Sequence, residues 1–149
     1  MIKLLGYGIL IALIILIDQL VKHFIVITIA LNHSTPVLSG VLSLAYIRNY
    51  GAAWSMLIGK KAFFIIISLV SLALMGYFFW KKRQQILYKL GLAFMIGGTV
   101  GNFIDRVRLG YVVDMFQLDF INFPIFNVAD SALTAGVIII FGALLKDED

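Results

Sequence analysis

The sequence predicts an all-α membrane protein: four transmembrane helices, a small extracytoplasmic β-rich element and an interfacial segment. Three observations carry that reading. Of 149 residues, 62% are hydrophobic and 13% charged, against about 45–50% and about 25% in a soluble domain. The mean hydropathy is +1.02. Four apolar runs, near 4–29, 62–80, 86–105 and 125–145, are spread along the chain, each close to the roughly 20 residues a helix needs to cross a bilayer. The length suits one domain over 1–149, and so apolar a composition excludes disorder.

The first run follows Lys3, as in a signal peptide, but it is long for one and no A-x-A-like site follows, so it reads as a retained helix. The loop 30–61 contains Val41 to Ile47, rich in β-formers, bounded by Gly40 and Gly51; this predicts a strand or hairpin on the outer surface. The second run is joined to the third by Lys81-Lys82-Arg83 and on to Lys89, four positive charges in nine residues with no acid. That density makes the loop cytoplasmic, both termini with it, and the other two loops external. The plain count of lysines and arginines, six on each side, would not have decided it. The third run is rich in glycine. In the loop 106–124, Phe116, Leu118 and Phe120 alternate with Gln117 and Asp119 before Pro124, which fits a strand or an amphipathic stretch equally. The fourth run carries one charge, Asp130, and Lys146 to Asp149 reads as a solvated tail.

What is missing narrows the chemistry. The absence of cysteine removes disulfides, thiolate metal sites and thiol nucleophiles. Two histidines, His23 and His33, cannot make a three-histidine zinc site. The net charge of +4 comes with no basic run interleaved with aromatics, so no nucleic-acid surface is expected.

Ionised groups in a bilayer are costly, about 2.5–3.5 kcal/mol at the centre on insertion scales, so intramembrane acids are candidates for function by default. Asp18 and Lys22 stand four apart, acid first, the better order for an ion pair on a helix, and read as structural polar support. Gly97 and Gly101 form a G-x-x-x-G pair for close helix approach. Gly98, Asn102, Asp105 and Arg106 follow at spacings that place them on one stripe, read as a polar site wall rather than a packing seam. Asp114 stands between apolar neighbours. Asn127 and Asp130 have the spacing of a capping box.

Asp114 and Asp130 would both lie at the outer boundary, on segments joined by a short loop, and can meet. Two close carboxylates cannot both ionise cheaply, so one keeps a proton near neutral pH. The ionised one then acts as general base toward water and the protonated one as donor to a carbonyl, which is the chemistry of an aspartic peptidase without metal or cofactor. A cap plus a solvated acid explains the same residues equally well. Two further classes stay open: a small proton or ion transporter, which requires acids near the midplane and repeated halves, and a scaffold subunit whose polar stripe serves helix packing.

Taken together, the blocks Asp18-Gln19-x-x-Lys22, Asn49-Tyr50-Gly51-Ala52-Ala53-Trp54, Gly97-Gly98-x-x-Gly101-Asn102-x-x-Asp105-Arg106, Val112-Val113-Asp114 and Phe126-Asn127-x-Ala129-Asp130 resemble the lipoprotein signal peptidase family, the bacterial signal peptidase II enzymes. The resemblance covers nearly the whole chain, in helix number and motif order, and no motif position departs from it. It implies an aspartic endopeptidase of the bacterial cell membrane that cuts a diacylglyceryl-modified prolipoprotein on the N-terminal side of the lipidated cysteine. It further implies Asp114 and Asp130 as the catalytic pair, Asn49, Gly51, Asn102, Arg106 and Asn127 as substrate-binding or dyad-supporting groups, and sensitivity to globomycin. Membrane lipid is an expected partner, and the expected state is a monomer. The residues fit this reading in their own terms. The acids are placed at the depth of a lipid-anchored substrate, Arg106 has a planar fork for a peptide carbonyl, and the loop Asn49 to Trp54, with Trp54 as interfacial anchor, lies where a lid would.

Overall fold

Each apolar run folds as a helix in the computed structural model, which describes residues 2–51, 59–81 and 85–147. The helices are α1 (Ile2–Thr28), α2 (Lys61–Lys81), α3 (Ile86–Arg108) and α4 (Val128–Asp147), with strands β1 (Ser34–Leu38) and β2 (Leu42–Asn49) between α1 and α2, and β3 (Val112–Leu118) between α3 and α4. All four helices are long and apolar enough to span a membrane, and their outward leucines, isoleucines and phenylalanines are exposed, as suits side chains that face lipid. The helix is the natural answer to a medium that cannot hydrogen-bond the backbone.

The helix bounds differ from the expected ones by a few residues. Among the largest shifts is the start of α4, expected from 125 and found from Val128. Ile125 and Phe126 stay outside the helix, because Phe126 bridges to Phe116 of β3 and its carbonyl accepts the Met115 and Phe116 N–H groups at 3.0 and 2.8 Å. At the other end of the loop, α3 continues one turn past 105 to Arg108.

The β-rich segments between α1 and α2 and between α3 and α4 form one sheet. β2 is central, antiparallel to β1 and to β3. The β2–β3 register shifts between Leu44 and Ile47, a bulge that turns consecutive residues Ala45 and Tyr46 inward together. Tyr46, Val113 and Met115 then pack on Ile25, clamping the sheet onto the end of α1. β1, an exposed edge, contains Pro36, which edge strands tolerate.

α3 is the central helix, packed against the other three and most extensively against α4. Its glycines make this possible on two sides. A Cβ at Gly98 would collide with the carbonyl oxygen of Ala129 on α4, and one at Gly97 would lie 2.9 Å from Ile14 on α1. A Cβ at Gly101 would lie 2.6 Å from Asp18 Oδ2. Three elements thus converge at one end of the bundle: the last turns of α3, the first turn of α4 and the start of β3.

Candidate active site

Asp114 and Asp130 meet through Asn127. Asp114 sits on β3 opposite Ile47, so Asn49, two residues along β2, is its diagonal neighbour on the same face. The Asn49 amide donates to Asp114 Oδ2 at 2.9 Å, and its own oxygen accepts the Gly51 N–H at 2.9 Å. Asp114 Oδ1 accepts the Asn127 amide at 2.7 Å. Asn127 caps α4: its Oδ1 accepts the Asp130 N–H at 2.9 Å, while Asp130 Oδ2 accepts the Asn127 N–H at 3.2 Å. The capping box is therefore real, and it occupies one oxygen of Asp130. The other, Oδ1, accepts the Asn102 amide at 2.8 Å. One carboxylate serves both purposes.

Behind this pair lies a buried charge cluster. Lys22 Nζ contacts Asp18 Oδ2 at 2.9 Å and Asp105 Oδ2 at 3.0 Å, and donates to Asn102 Oδ1 at 2.9 Å. Asp18 Oδ1 accepts the Ala129 N–H of α4 at 2.9 Å, and Asp105 Oδ2 accepts the Val113 N–H of β3 at 3.1 Å. Two acids on two helices thus fix the backbones on either side of the candidate dyad. Gln19 joins them, donating to Asp105 Oδ1 at 3.0 Å and to the Gly101 carbonyl at 3.2 Å.

The expected single stripe on α3 is divided. Gly98 and Asn102 face α4, but Asp105 turns to α1 and Lys22. Arg106 turns the other way, its guanidinium 4.8 Å from the Phe64 ring of α2 and donating to the Gly51 carbonyl at 3.5 Å. Adjacent positions on a helix are separated by about 100°, enough to send the acid to one side of the bundle and the cation to the other. Ala52, Ala53 and Trp54, read as a lid with an interfacial anchor, lie outside the described residues.

Among the described residues, two of the cavities border these carboxylates. The larger, about 590 Å³, is lined by the polar Asn49, Asp114 and Asp130 and by apolar residues that include Leu118, Phe123, Phe126 and Ile138. The second, about 320 Å³, opens between α2, α3 and α4, where Arg106, Asn102 and Asp130 face Phe64, Ile67 and Leu133. Asp130 borders both. Burial in this setting, reinforced by the neighbouring Asp130 charge, raises Asp114 from 3.8 to about 7, against the pull of the Asn49 and Asn127 amides and of Lys22. Such a carboxyl exchanges its proton at neutral pH, which suits it to acid–base work.

Asp18, Asn49, Asn102, Asp105, Asp114, Asn127, Asp130 and Lys22 join this network and Arg106 borders it, whereas His33, Gln117 and Asp119 make their hydrogen bonds elsewhere. Gln19 was visible as an amide within an apolar run, next to Asp18, but its role needs Asp105 from a distant helix. The apolar walls from Phe123 to Phe126 and at Ile138 had no signal, since in a membrane protein a cavity wall and a lipid-facing surface have the same composition. The acids cluster at one end of the bundle, unlike the midplane acids a transporter reading requires.

Comparison with known proteins points to one family. The family model described as signal peptidase (SPase) II matches residues 10–146. The chain is 56% identical to the lipoprotein signal peptidase of Lactiplantibacillus plantarum, over 95% of each chain. It is 50% identical to that of Enterococcus faecalis, over 95% of this chain and 89% of the other. Among solved structures, a bacterial membrane enzyme determined by the in meso method at 2.3 Å superposes with a TM-score of 0.92 at 39% identity, covering 97% of this chain and 90% of that one.

Proposed function

The chain belongs to the signal peptidase II family, and on that premise we propose that Asp114 and Asp130 are the carboxylates with which this membrane peptidase cuts. The enzyme removes the signal peptide from prolipoproteins. Its substrate carries a diacylglyceryl group on the cysteine that becomes the new N-terminus, and the cut falls on the N-terminal side of that cysteine.

One observation supports the dyad above the others: Asn127 holds both acids at the mouth of the large cavity, its amide on Asp114 at 2.7 Å and its backbone N–H on Asp130 at 3.2 Å. With one proton shared between them, the ionised carboxylate takes a proton from water. The water oxygen attacks the scissile carbonyl, and the protonated carboxyl donates to the carbonyl oxygen. Collapse of the tetrahedral intermediate breaks the C–N bond, and the cysteine nitrogen leaves as the amine after taking a proton from the pair. Arg106 and Asn49, at opposite sides, hold the extended peptide backbone, with Gly51 placing the strand end between them. The apolar wall beside Asp114 and Asp130 receives the acyl chains without exposing them to water. Asp18, Lys22 and Asp105 brace the elements that carry the dyad.

The dense basic loop supports an orientation with both termini cytoplasmic and the site near the outer face of the bacterial cell membrane, where the enzyme works as a monomer among lipid and is blocked by globomycin-type cyclic peptides.

Cleavage of a diacylglyceryl-modified prolipoprotein by purified protein in bilayers, followed by gel shift, tests the assignment. Asp114→Asn and Asp130→Asn are each expected to lose about 10²–10⁴ in rate, the usual contribution of a positioned acid or base, and globomycin to stop the unaltered enzyme. Full activity in either variant would reduce that residue to a cap or a bystander.

A further inference from the structure

We infer that Lys22 is a positioning residue that fixes which way the two site amides point and thereby aims an N–H at each carboxylate of the dyad. The inference rests on the dyad reading above and goes beyond bracing the fold.

An ammonium has three donors and no acceptor, whereas an asparagine amide presents an oxygen on one side and two N–H groups on the other. Lys22 is almost fully buried and spends its contacts on Asp18, Asp105 and Asn102 at 2.9, 3.0 and 2.9 Å. Its neighbour on Asn102 must therefore be the oxygen. That choice turns the Asn102 N–H group to Asp130 Oδ1 at 2.8 Å. It also requires a donor from Asn127, whose amide nitrogen lies 3.2 Å from the same Asn102 oxygen. The second proton of that nitrogen is then the one Asp114 Oδ1 accepts at 2.7 Å. The Asn127 oxygen is left for the Asp130 N–H at 2.9 Å. Reversing Asn102 would set two donors face to face at Asn127 and aim an oxygen at Asp130. The chain of amides is thus held at two ends, by Lys22 and by the cap of α4, and losing the ammonium leaves one end free.

The charged surroundings of Lys22 make a second readout available. Asp18 and His23 lie on its own helix, Asp105, Arg106 and Arg108 on α3, Asp114 on β3 and Asp130 on α4; His23 and Arg108 line a small cavity of about 160 Å³ beside it. Among these, Lys22 acts on Asp114 by lowering its hold on a proton. Without that charge Asp114 keeps its proton to higher pH, so the pH–rate bell moves upward.

The experiment compares three proteins in bilayers: the unaltered enzyme, Lys22→Met, and the triple variant Lys22→Met, Asp18→Asn, Asp105→Asn, which removes the cation together with the two acids it neutralises. Positioning predicts that Lys22→Met loses about 100-fold in kcat, the scale of a small misplacement of a reacting group, with KM changed little. The triple variant, whose two asparagine oxygens still accept the Ala129 and Val113 N–H groups, regains the melting temperature but not kcat. A triple variant with the unaltered kcat and bell would overturn the inference, because Lys22 would then serve only to neutralise Asp18 and Asp105. If the triple variant does not fold, Lys22→Arg takes its place. Arginine keeps the charge but not the three contact points, so positioning predicts a lowered kcat with the bell unmoved, and full activity would overturn it. Failure of the dyad reading has a different sign: Asp114→Asn or Asp130→Asn would then cleave normally whatever Lys22 does.

Discussion

α2 and α3 are neighbours of 21 and 23 residues, both membrane-spanning, and they are built on opposite principles. α2 is almost purely apolar, yet it buries only Phe64, Ser68 and Met75. α3 is the less apolar of the two and buries ten residues, among them Gly97, Gly98, Gly101, Asn102 and Asp105. In water the order would be reversed. In a bilayer, lipid tails are as apolar as leucine, so hydrophobicity places a helix in the membrane without telling it where to pack. Packing comes from small residues that let backbones approach and from polar groups that need partners. α3 has both, and so the site is built on it.

The comparison breaks most visibly by exchanging polar groups on the two helices. Asn102→Leu keeps the volume close to that of asparagine but strips a donor from Asp130 and an acceptor from Lys22. The expected loss in kcat is about 10²–10³, the range for removing one preorganised donor. Its counterpart on α2 is Ser68→Ala. The Ser68 hydroxyl donates to the Phe64 carbonyl of its own helix at 2.7 Å, so cleavage should stay within about twofold, as for a change that touches no buried network. Equal losses in the two variants would remove the distinction.

Glycine replacement comes next. At Gly98 even one added carbon meets the Ala129 carbonyl, so Gly98→Val should destabilise by about 1–3 kcal/mol, as overpacked cores do, and displace the first turn of α4. Melting and cleavage should fall together. The pH response belongs to the same end of the bundle. Asp114 stands at about 7 in the folded chain against 3.8 ordinarily. A raised acid contributes stability that is complete below its unfolded value and is lost as pH rises through the folded one. Melting temperature should therefore decline between about pH 4 and pH 7, and Asp114→Asn should flatten that decline. Activity should fall above about pH 7, when the pair loses its shared proton.

These effects also mark how far the sequence can be read. The four helices are legible because an apolar run of spanning length has few other uses. Asp114, Asp130, Asn102 and Lys22 are legible because each polar group in a membrane demands a reason. The β-sheet was half legible: Val41 to Ile47 reads as a strand by composition, but whether Phe116 to Phe120 is strand or helix surface depends on pairing with a segment about seventy residues away. The bulge at Ala45 and Tyr46 leaves no trace in alternation, since it interrupts the alternation itself. The division of Asp105 from Arg106 was hidden for a related reason. Spacings of three and four place residues on a common stripe, and only the positions of α1 and α2 decide that the stripe is split between them.

The smallest expected effect sharpens the comparison from the side of α2. Gly76 lies mid-helix, exposed toward lipid, with open space where a Cβ would stand. A glycine within a helix costs roughly 0.5–1 kcal/mol relative to alanine, through the conformational freedom it gives up on folding. With nothing to collide with, Gly76→Ala should therefore stabilise by a fraction of that range, the helix being already enforced by the bilayer, and leave cleavage unchanged. Thermal melting of Gly76→Ala beside Gly98→Ala measures this directly. The same substitution should raise the midpoint on α2 and lower it on α3, because the second glycine is there for the carbonyl of Ala129. Two downward shifts would mean that α2 packs against something at Gly76, and that the helix treated as lipid-facing is a docking surface as α3 is; two upward shifts would mean that the Ala129 carbonyl does not need the glycine at 98.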